Sequence, residues 1–286
     1  MRSVSVIERL MEGAIDFHVH AAPDPFSARR LDVFHLAVKA KEAGMKAIVV
    51  KNHQFGTAIL TDLVNTMVPD FTLVGSIVLN REAGGLNPEV VSAVVQAGAR
   101  VIWMPTVSSV INSKSKPGIS IINKDGNLLS EVKAILQIIR ENDLVLGTGH
   151  VSLEEIYAIM LEAQKLGIKI TITHPLTPGF GCKLSLDQQK ELVSMGAVIE
   201  HCFVACMPDL GGMSPEIMIE HIRAVGAEHC IMSTDFGQDA NPSPPEGFRS
   251  MIGTMLRFGL TEKEMEILVK INPAKLLGID QVVSKV

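Results

Sequence analysis

Short runs of β-branched residues alternate with helical patterns along the whole 286-residue chain. Strands that alternate with helices predict βα units and a parallel sheet, because each helix carries the chain back to start the next strand in the same direction. The length suits one (β/α)₈ TIM barrel, and we expect a single domain over residues 1–286. The predicted strands cover residues 14–19, 47–50, 72–78, 100–104, 144–147, 169–173, 197–201 and 230–234.

The segments between these strands have helical patterns, and several end in glycine just before the next strand. Glycine suits the residue after a helix because it adopts the left-handed conformation at little cost. We also expect a helix within residues 1–13 and closing helices over 261–277, with Pro273 at a second helix start. The predicted helices cover 32–43, 88–97, 130–141, 153–166, 185–194 and 215–225, and the glycines are Gly44, Gly98, Gly167, Gly196 and Gly226.

Composition argues against several classes of protein. Hydrophobic residues make up 47% of the chain and the formal net charge is -5, with both signs mixed along it. This excludes a disordered chain, and the absence of a basic stripe or a long apolar run argues against nucleic-acid and membrane partners. We therefore expect a protein that acts on a small-molecule substrate. The sequence leaves open whether copies of the chain form a homo-oligomer.

Cysteine usage and the first residues bear on the compartment. The four cysteines form no C-x-x-C pair, and a chain with this much core does not need disulfides. Glu8 and Arg9 lie where a signal peptide would need an apolar run. We expect a cytoplasmic protein with reduced cysteines.

The segment Asp16-Phe-His18-Val-His20 ends the first predicted strand. Alternation along a strand predicts that Asp16, His18 and His20 share one face. Two imidazoles with this spacing can hold one metal ion. The motif alone would equally fit two polar residues at the end of a strand.

Three more residues at strand ends favour the metal site. His150 follows the fifth strand, His174 ends the sixth and Asp235 ends the eighth. The C-terminal ends of all strands meet at one face of a barrel, and buried ionisable groups cost several kcal/mol unless they find partners. We therefore predict one or two divalent metal ions. The nitrogen and oxygen ligands favour Zn²⁺, with Mn²⁺ and Fe²⁺ as alternatives.

Together these motifs resemble those of the amidohydrolase superfamily, and the resemblance spans nearly the whole chain. It implies that His18, His20 and Asp235 bind a metal ion and that His150 binds the same ion or a second one. It further implies that Asp235 accepts a proton from the metal-bound water, while His174 binds a second ion or polarises the substrate. The resemblance rests on Asp16-Phe-His-Val-His20, His150, His174, Asp235 and Asn272-Pro-Ala-Lys-Leu-Leu-Gly278.

The chain departs from that superfamily at the end of the fourth strand. Members with two metal ions often carry a carboxylated lysine or a glutamate there, whereas this strand reads Val-Ile-Trp-Met-Pro-Thr106. Lys51 instead ends the second strand and shares a face with His53. Lys51 is expected either to bind a substrate carboxylate beside one metal ion or, once carboxylated, to bridge two. We favour the first role slightly, with His53 as a neighbour of the substrate or the metal.

The seventh strand ends in Glu200-His201, and alternation allows only one of the two to face inward. An inward Glu200 is expected to contact substrate, to pair with Lys51 or to orient a metal ligand. The loops at 106–127, 203–214 and 236–248 are long and are expected to shape the substrate site. The cysteines near this face, Cys202 and Cys206, show no pattern of a catalytic nucleophile.

These residues leave three functions open. The leading one is a metal-dependent hydrolase that activates a water for attack on a small amide, lactone or ester, with Asp235, His174 and Lys51 as catalytic residues. The alternative is a decarboxylase or hydratase that acts on a small carboxylic acid bound by Lys51. The third is a metal-binding barrel that serves as a binding protein.

Overall fold

A computed structural model describes residues 5–114 and 116–279. Its eight strands form one sheet in the order of the chain, and each strand pairs in parallel with the next. The strands are β1 (Ile15–His20), β2 (Ala47–Lys51), β3 (Thr72–Val78), β4 (Ala99–Trp103), β5 (Val145–Gly147), β6 (Lys169–Thr173), β7 (Val198–Cys202) and β8 (Cys230–Ser233).

Helices follow the strands around the outside of the sheet. The last two are joined through a π-helical turn at Ile267–Ile271. The helices are α1 (Val6–Met11), α2 (Val33–Glu42), α3 (Ala58–Met67), α4 (Pro88–Gln96), α5 (Ser130–Glu141), α6 (Leu153–Leu166), α7 (Leu186–Ser194), α8 (Pro215–Val225), α9 (Pro244–Arg257), α10 (Glu262–Glu266) and α11 (Asn272–Leu277).

The sheet closes through backbone hydrogen bonds between β1 and the residues that follow β8. The Asp235 amide donates to the His18 carbonyl at 2.9 Å, and the His20 amide donates to the Phe236 carbonyl at 2.8 Å. We call this junction the seam. It completes a (β/α)₈ barrel, so the predicted fold class is confirmed.

The predicted elements agree with the structure to within a residue or two, because their local signals are strong. Helix α6, for example, starts at a capping box between Ser152 and Glu155 and ends at Gly167, whose φ is 66°. The prediction omitted α3 and α9, and it placed the start of α9 in a loop. Pro244 and Pro245 suggested a turn there, but proline also suits the first turn of a helix. No helix among residues 5–114 and 116–279 is long and apolar enough to span a membrane.

A bulge in β1 changes which motif residues face the barrel interior. Relative to β2, β1 has one extra residue between Asp16 and Val19. Asp16 pairs with Ile48, which packs in the layer between sheet and helices, whereas His20 pairs with Lys51 beside the inner cavity. The expectation that the three polar motif residues share one face is therefore wrong for Asp16, because period-two alternation cannot anticipate a bulge.

His201 lies on the opposite side of β7 from Glu200, toward α7 and α8. Its side chain is buried, and neither ring nitrogen has a hydrogen-bond partner among residues 5–114 and 116–279. The nearby His221 is hydrogen-bonded to Gln189 at 3.0 Å. Burial lowers the pKa of His201 to about 3, from an ordinary value of 6.5. Below pH 6.5, His201 is therefore protonated in the unfolded chain but stays neutral in the folded chain until the pH nears 3. This difference lowers the free energy of unfolding progressively as the pH falls.

We predict that His201→Leu stabilises the protein selectively at acid pH. The gain over wild type in the free energy of unfolding should increase by about 2 kcal/mol between pH 7.5 and pH 5, since the unfolded-state proton is lost with the imidazole. Urea unfolding of both proteins at each pH measures this. His229→Gln, at a half-exposed histidine, is the control. A gain that stays constant with pH would contradict the assignment.

Candidate metal centre

Three side chains from β1 and the loop after β8 converge at the seam. The Asp235 Oδ1 lies 3.1 Å from the His18 Nε2 and 3.2 Å from the His20 Nε2. Ligands 2.0–2.1 Å from a tetrahedral Zn²⁺ ion lie about 3.3 Å from one another. These three atoms therefore have the spacing of a metal-binding set.

Glu200 fixes the orientation of the His18 ring from inside β7. The Glu200 Oε1 lies 3.1 Å from the His18 Nδ1, and both side chains are buried. When the Nδ1–H donates a hydrogen bond to this carboxylate, the neutral ring carries no proton on Nε2, and this is the form that binds metal. That Nε2 then faces the Asp235 carboxylate, and a cation between these two acceptors would satisfy both.

Asp16 holds the backbone that carries Asp235. Its carboxylate accepts the Thr234 amide at 3.0 Å and the Thr234 hydroxyl at 2.5 Å, together with the His18 amide at 3.3 Å. Asp235 itself has a φ of 55°, in the left-handed region that few residues other than glycine adopt. Asp16 is thus a support for the site and lies outside its inner face.

His150 and His174 form a second nitrogen pair. Their Nε2 atoms lie 3.0 Å apart, and the Nδ1 atom of each is buried with no hydrogen-bond partner in the part of the chain that the structure describes. The His174 ring stacks on His18 at 5.9 Å between centroids, so the pair lies beside the first set. His174 has a φ of 32°, again in the left-handed region.

Lys51 lies between the two sets and is 1% exposed. Its Nζ is 3.0 Å from the His18 Nε2 and 4.9 Å from the centre of the Trp103 ring. Burial lowers the pKa of Lys51, although the carboxylates of Asp235 and Glu200 oppose this. Trp103 occupies the end of β4, where the sequence offers neither lysine nor glutamate, and also packs against His18.

Burial shifts the protonation of the other site residues toward the metal-binding forms. It lowers the pKa of His20 to about 3 and that of His174 to about 4, and it lowers the pKa of His150 well below its usual range. Burial alone would raise the pKa of Asp235, but His18 and His20 hold it well below its usual range. Neutral imidazoles beside an ionised carboxylate are the ligands that a divalent ion requires.

A cavity of about 160 Å³ opens onto this centre. It is lined by the five predicted metal ligands together with Lys51 and His53, whose Nδ1 lies 2.9 Å from the Thr106 hydroxyl. Glu200 is not among the described residues that line it. Its place behind His18 fits an orienting role better than a contact with substrate.

Sequence reasoning missed two residues of this site. Trp103 sits under Lys51, and the sequence offered only its place at a strand end as a signal. Arg29, in the loop after β1, lines the cavity. A charged residue in a loop at the C-terminal face of a barrel was the available signal, but Arg29-Arg30 resembles an ordinary solvated pair.

The model of one protein family matches residues 13–200 of the chain, and its description is "Family of unknown function (DUF6282)". The chain belongs to that family. The match covers the strands that carry His18, His20, Lys51, His150 and His174, and it ends before Asp235. No curated protein matches the chain.

Solved structures share the fold at low sequence identity. An amidohydrolase from Pseudomonas aeruginosa superposes with a TM-score of 0.68 at 14% identity, covering 96% of this chain and 98% of its own. A "probable dipeptidase" from the same organism gives 0.70 at 12% identity, covering 95% and 96%. A dipeptidase of metallopeptidase family M19 gives 0.61 at 13% identity, covering 94% and 99%. The expected similarity to the amidohydrolase superfamily is confirmed at the level of the fold.

We predict that Glu200→Leu weakens Zn²⁺ binding by about 10–100-fold, because the His18 ring loses the acceptor that fixes its orientation. Glu200→Gln keeps a carbonyl that can accept the same proton, and its loss should be smaller. Competition for Zn²⁺ with a chelator measures both affinities.

Cys202→Ala is the matched control for this experiment. The Cys202 Sγ lies 3.7 Å from the His18 Nδ1, and with Glu200 it forms an alternative group of metal-binding atoms. We expect unchanged affinity in this variant. A loss as large as that of Glu200→Leu would place the ion on the Cys202 side of His18 instead.

Proposed function

We propose that the protein is a metal-dependent hydrolase that activates a water for attack on a small amide, lactone or ester. The observation that carries the proposal is the convergence of His18, His20 and Asp235 at the floor of an open cavity. The hydrolases among the proteins that share the fold support the proposal. Zn²⁺ fits the two imidazoles and the carboxylate best, because catalytic zinc sites commonly have three such ligands and one open position.

Different residues of the site have different roles in the proposed hydrolysis. A divalent ion, when bound, lowers the pKa of water toward ~7 and polarises a carbonyl oxygen. Asp235, ionised beside the two histidines, accepts the proton of the attacking water and returns it to the leaving group. His150 and His174 either hold a second ion or, through His174, polarise the substrate carbonyl.

The position of Lys51 favours a role within the metal centre. A protonated amine 3.0 Å from the His18 Nε2 would donate to the atom that must bind the metal. Burial favours the neutral form of this amine, and in that form it can add to CO₂: the nitrogen bonds to carbon, one proton leaves, and the product is a carbamate with two oxygen donors. This would supply the ligand that the end of β4 lacks, and it reverses the slight preference drawn from the sequence.

Asp235→Asn is the first test. We expect kcat/KM to fall by about 10²–10⁴-fold, because the amide cannot accept a proton and is a weaker ligand. The assay is Zn²⁺-dependent hydrolysis of a panel of small amides, lactones and esters in ¹⁸O-labelled water, with label expected in the released carboxyl group. Asp239→Asn, at an exposed residue of the same loop, should retain activity.

Two outcomes would overturn the proposal. Full turnover by Asp235→Asn would remove Asp235 from the mechanism. Release of CO₂, or addition of water without cleavage, would identify the lyase alternative.

Lys51 is tested by bicarbonate and by Lys51→Arg. If Lys51 is carboxylated, bicarbonate during metal loading should raise activity and the zinc content should approach two ions per chain. Arginine cannot be carboxylated, so Lys51→Arg should lose one ion and nearly all of kcat, with or without bicarbonate. A bicarbonate-independent enzyme whose Lys51→Arg variant shows only a raised KM would establish the substrate-binding role instead.

A further inference from the structure

Arg29 lies in the cavity wall, in the loop between β1 and α2, and its side chain is only 6% exposed. Its Nε donates to the Asp24 Oδ2 at 2.7 Å, and its Nη2 lies 2.6 Å from the same oxygen. Asp24 is fixed in turn, because its Oδ1 accepts the amides of Phe26 and Ser27 at 3.0 and 3.1 Å. The guanidinium is therefore held in one orientation before any ligand arrives.

The contact with Asp24 leaves much of the guanidinium unused. Arginine has five N–H donors, and Asp24 engages two nitrogens through a single oxygen. Within the described part of the chain, Asp24 is the acceptor for this side chain. Arg29 lines the cavity, so its remaining N–H donors suit an acceptor brought by a ligand.

The charges around the cavity favour a ligand with one negative charge. Asp209 and Asp235 also line the cavity, and Asp24 already offsets part of the charge of Arg29. Arg29 and Lys51 are the arginine and lysine residues among the described residues that line the cavity, and Lys51 lies within the metal centre, so Arg29 provides for one further negative charge. A carboxylate matches the planar fork of arginine and can accept two parallel hydrogen bonds.

The apolar residues of the cavity wall indicate which chemical group the ligand carries besides its carboxylate. Apolar side chains contribute much of the lining, and the cavity holds only about 160 Å³. These side chains are Val107, Phe180, Val204, Met207 and Leu210. They suit a short aliphatic or aromatic group.

We propose that Arg29 binds the carboxylate of the substrate, which is a small apolar monocarboxylic acid that also carries the hydrolysable bond. This inference rests on the hydrolase function proposed above for the identity of the reacting bond, and on the Arg29 geometry for the carboxylate. Arg29 lines the same cavity as His20 and His53. The carboxylate would thus bind beside the metal centre, with the reacting carbonyl directed toward Asp235.

The test compares two probes of nearly equal shape, 3-methylbutanoate and 3-methylbutanamide, on the Zn²⁺-loaded full chain. Their dissociation constants are measured by calorimetry, or by inhibition if turnover is found. Arg29→Gln should lower the preference for the acid over the amide by about 30-fold, the value of one charge-assisted pair. Arg29→Lys keeps the charge without the fork and should lower it less.

Arg30→Gln is the matched control, because Arg30 is the neighbouring cation and is not among the described residues that line the cavity. Its side chain donates instead to the Asp239 carbonyl. This variant should keep the wild-type preference. If Arg29→Gln does not fold, Asp24→Asn combined with Arg29→Gln removes both charges together and is measured in its place.

The outcomes separate this inference from the proposed function. An unchanged preference in the Arg29 variants overturns the carboxylate site, and so does an equal weakening of both probes, which would indicate a merely structural role. If the Arg29 variants lose the preference for the acid over the amide but the wild-type protein hydrolyses none of the substrates, the carboxylate site is supported and the proposed function fails. If the wild-type protein is an active hydrolase but the Arg29 variants keep the preference, the proposed function is supported and the carboxylate site fails.

Discussion

The hydrogen bonds at the seam close the barrel and also bring together the residues of the candidate metal centre. The Asp235 amide reaches the His18 carbonyl and the His20 amide reaches the Phe236 carbonyl, so the ligands on β1 are in register with the one after β8. Asp16 reinforces the junction through Thr234. Because parallel strands put all their C-terminal ends on one face, the barrel also brings the His174 ring to 5.9 Å from the His18 ring between centroids, with His150 beside His174.

Much of the fold and the outline of the site could be predicted from the sequence. The eight strands and the glycines after several helices are local signals, and the ligand residues stand at strand ends where a barrel must gather them. The orientation of Asp16 could not be predicted, because a bulge depends on how β1 registers against β2. Trp103 and Arg29 were missed for a related reason: their roles depend on what lies across the barrel and on how a loop folds back over the cavity.

The hydrogen-bond partners around the centre also explain why residues of the same type have different tasks. The His18 ring is hydrogen-bonded to Glu200, and its other nitrogen is directed inward, whereas His201, one position beyond Glu200, has no hydrogen-bond partner among the described residues. Lys51 and Arg29 both carry long basic side chains beside the cavity. Burial lowers the pKa of Lys51 and so favours its neutral form, while Arg29 stays charged and is paired with Asp24.

The backbone at His174 and Asp235 has a consequence for how such a site persists through evolution. Both residues have left-handed φ values, and a non-glycine residue in a sparsely populated region costs of order 1 kcal/mol or more. Glycine at either position would relieve that strain and remove a metal-binding atom at the same time. Selection for thermal stability alone would therefore favour glycine at these two positions. A histidine and an aspartate at these positions therefore cost the fold some stability, and the proposed metal site would account for that cost.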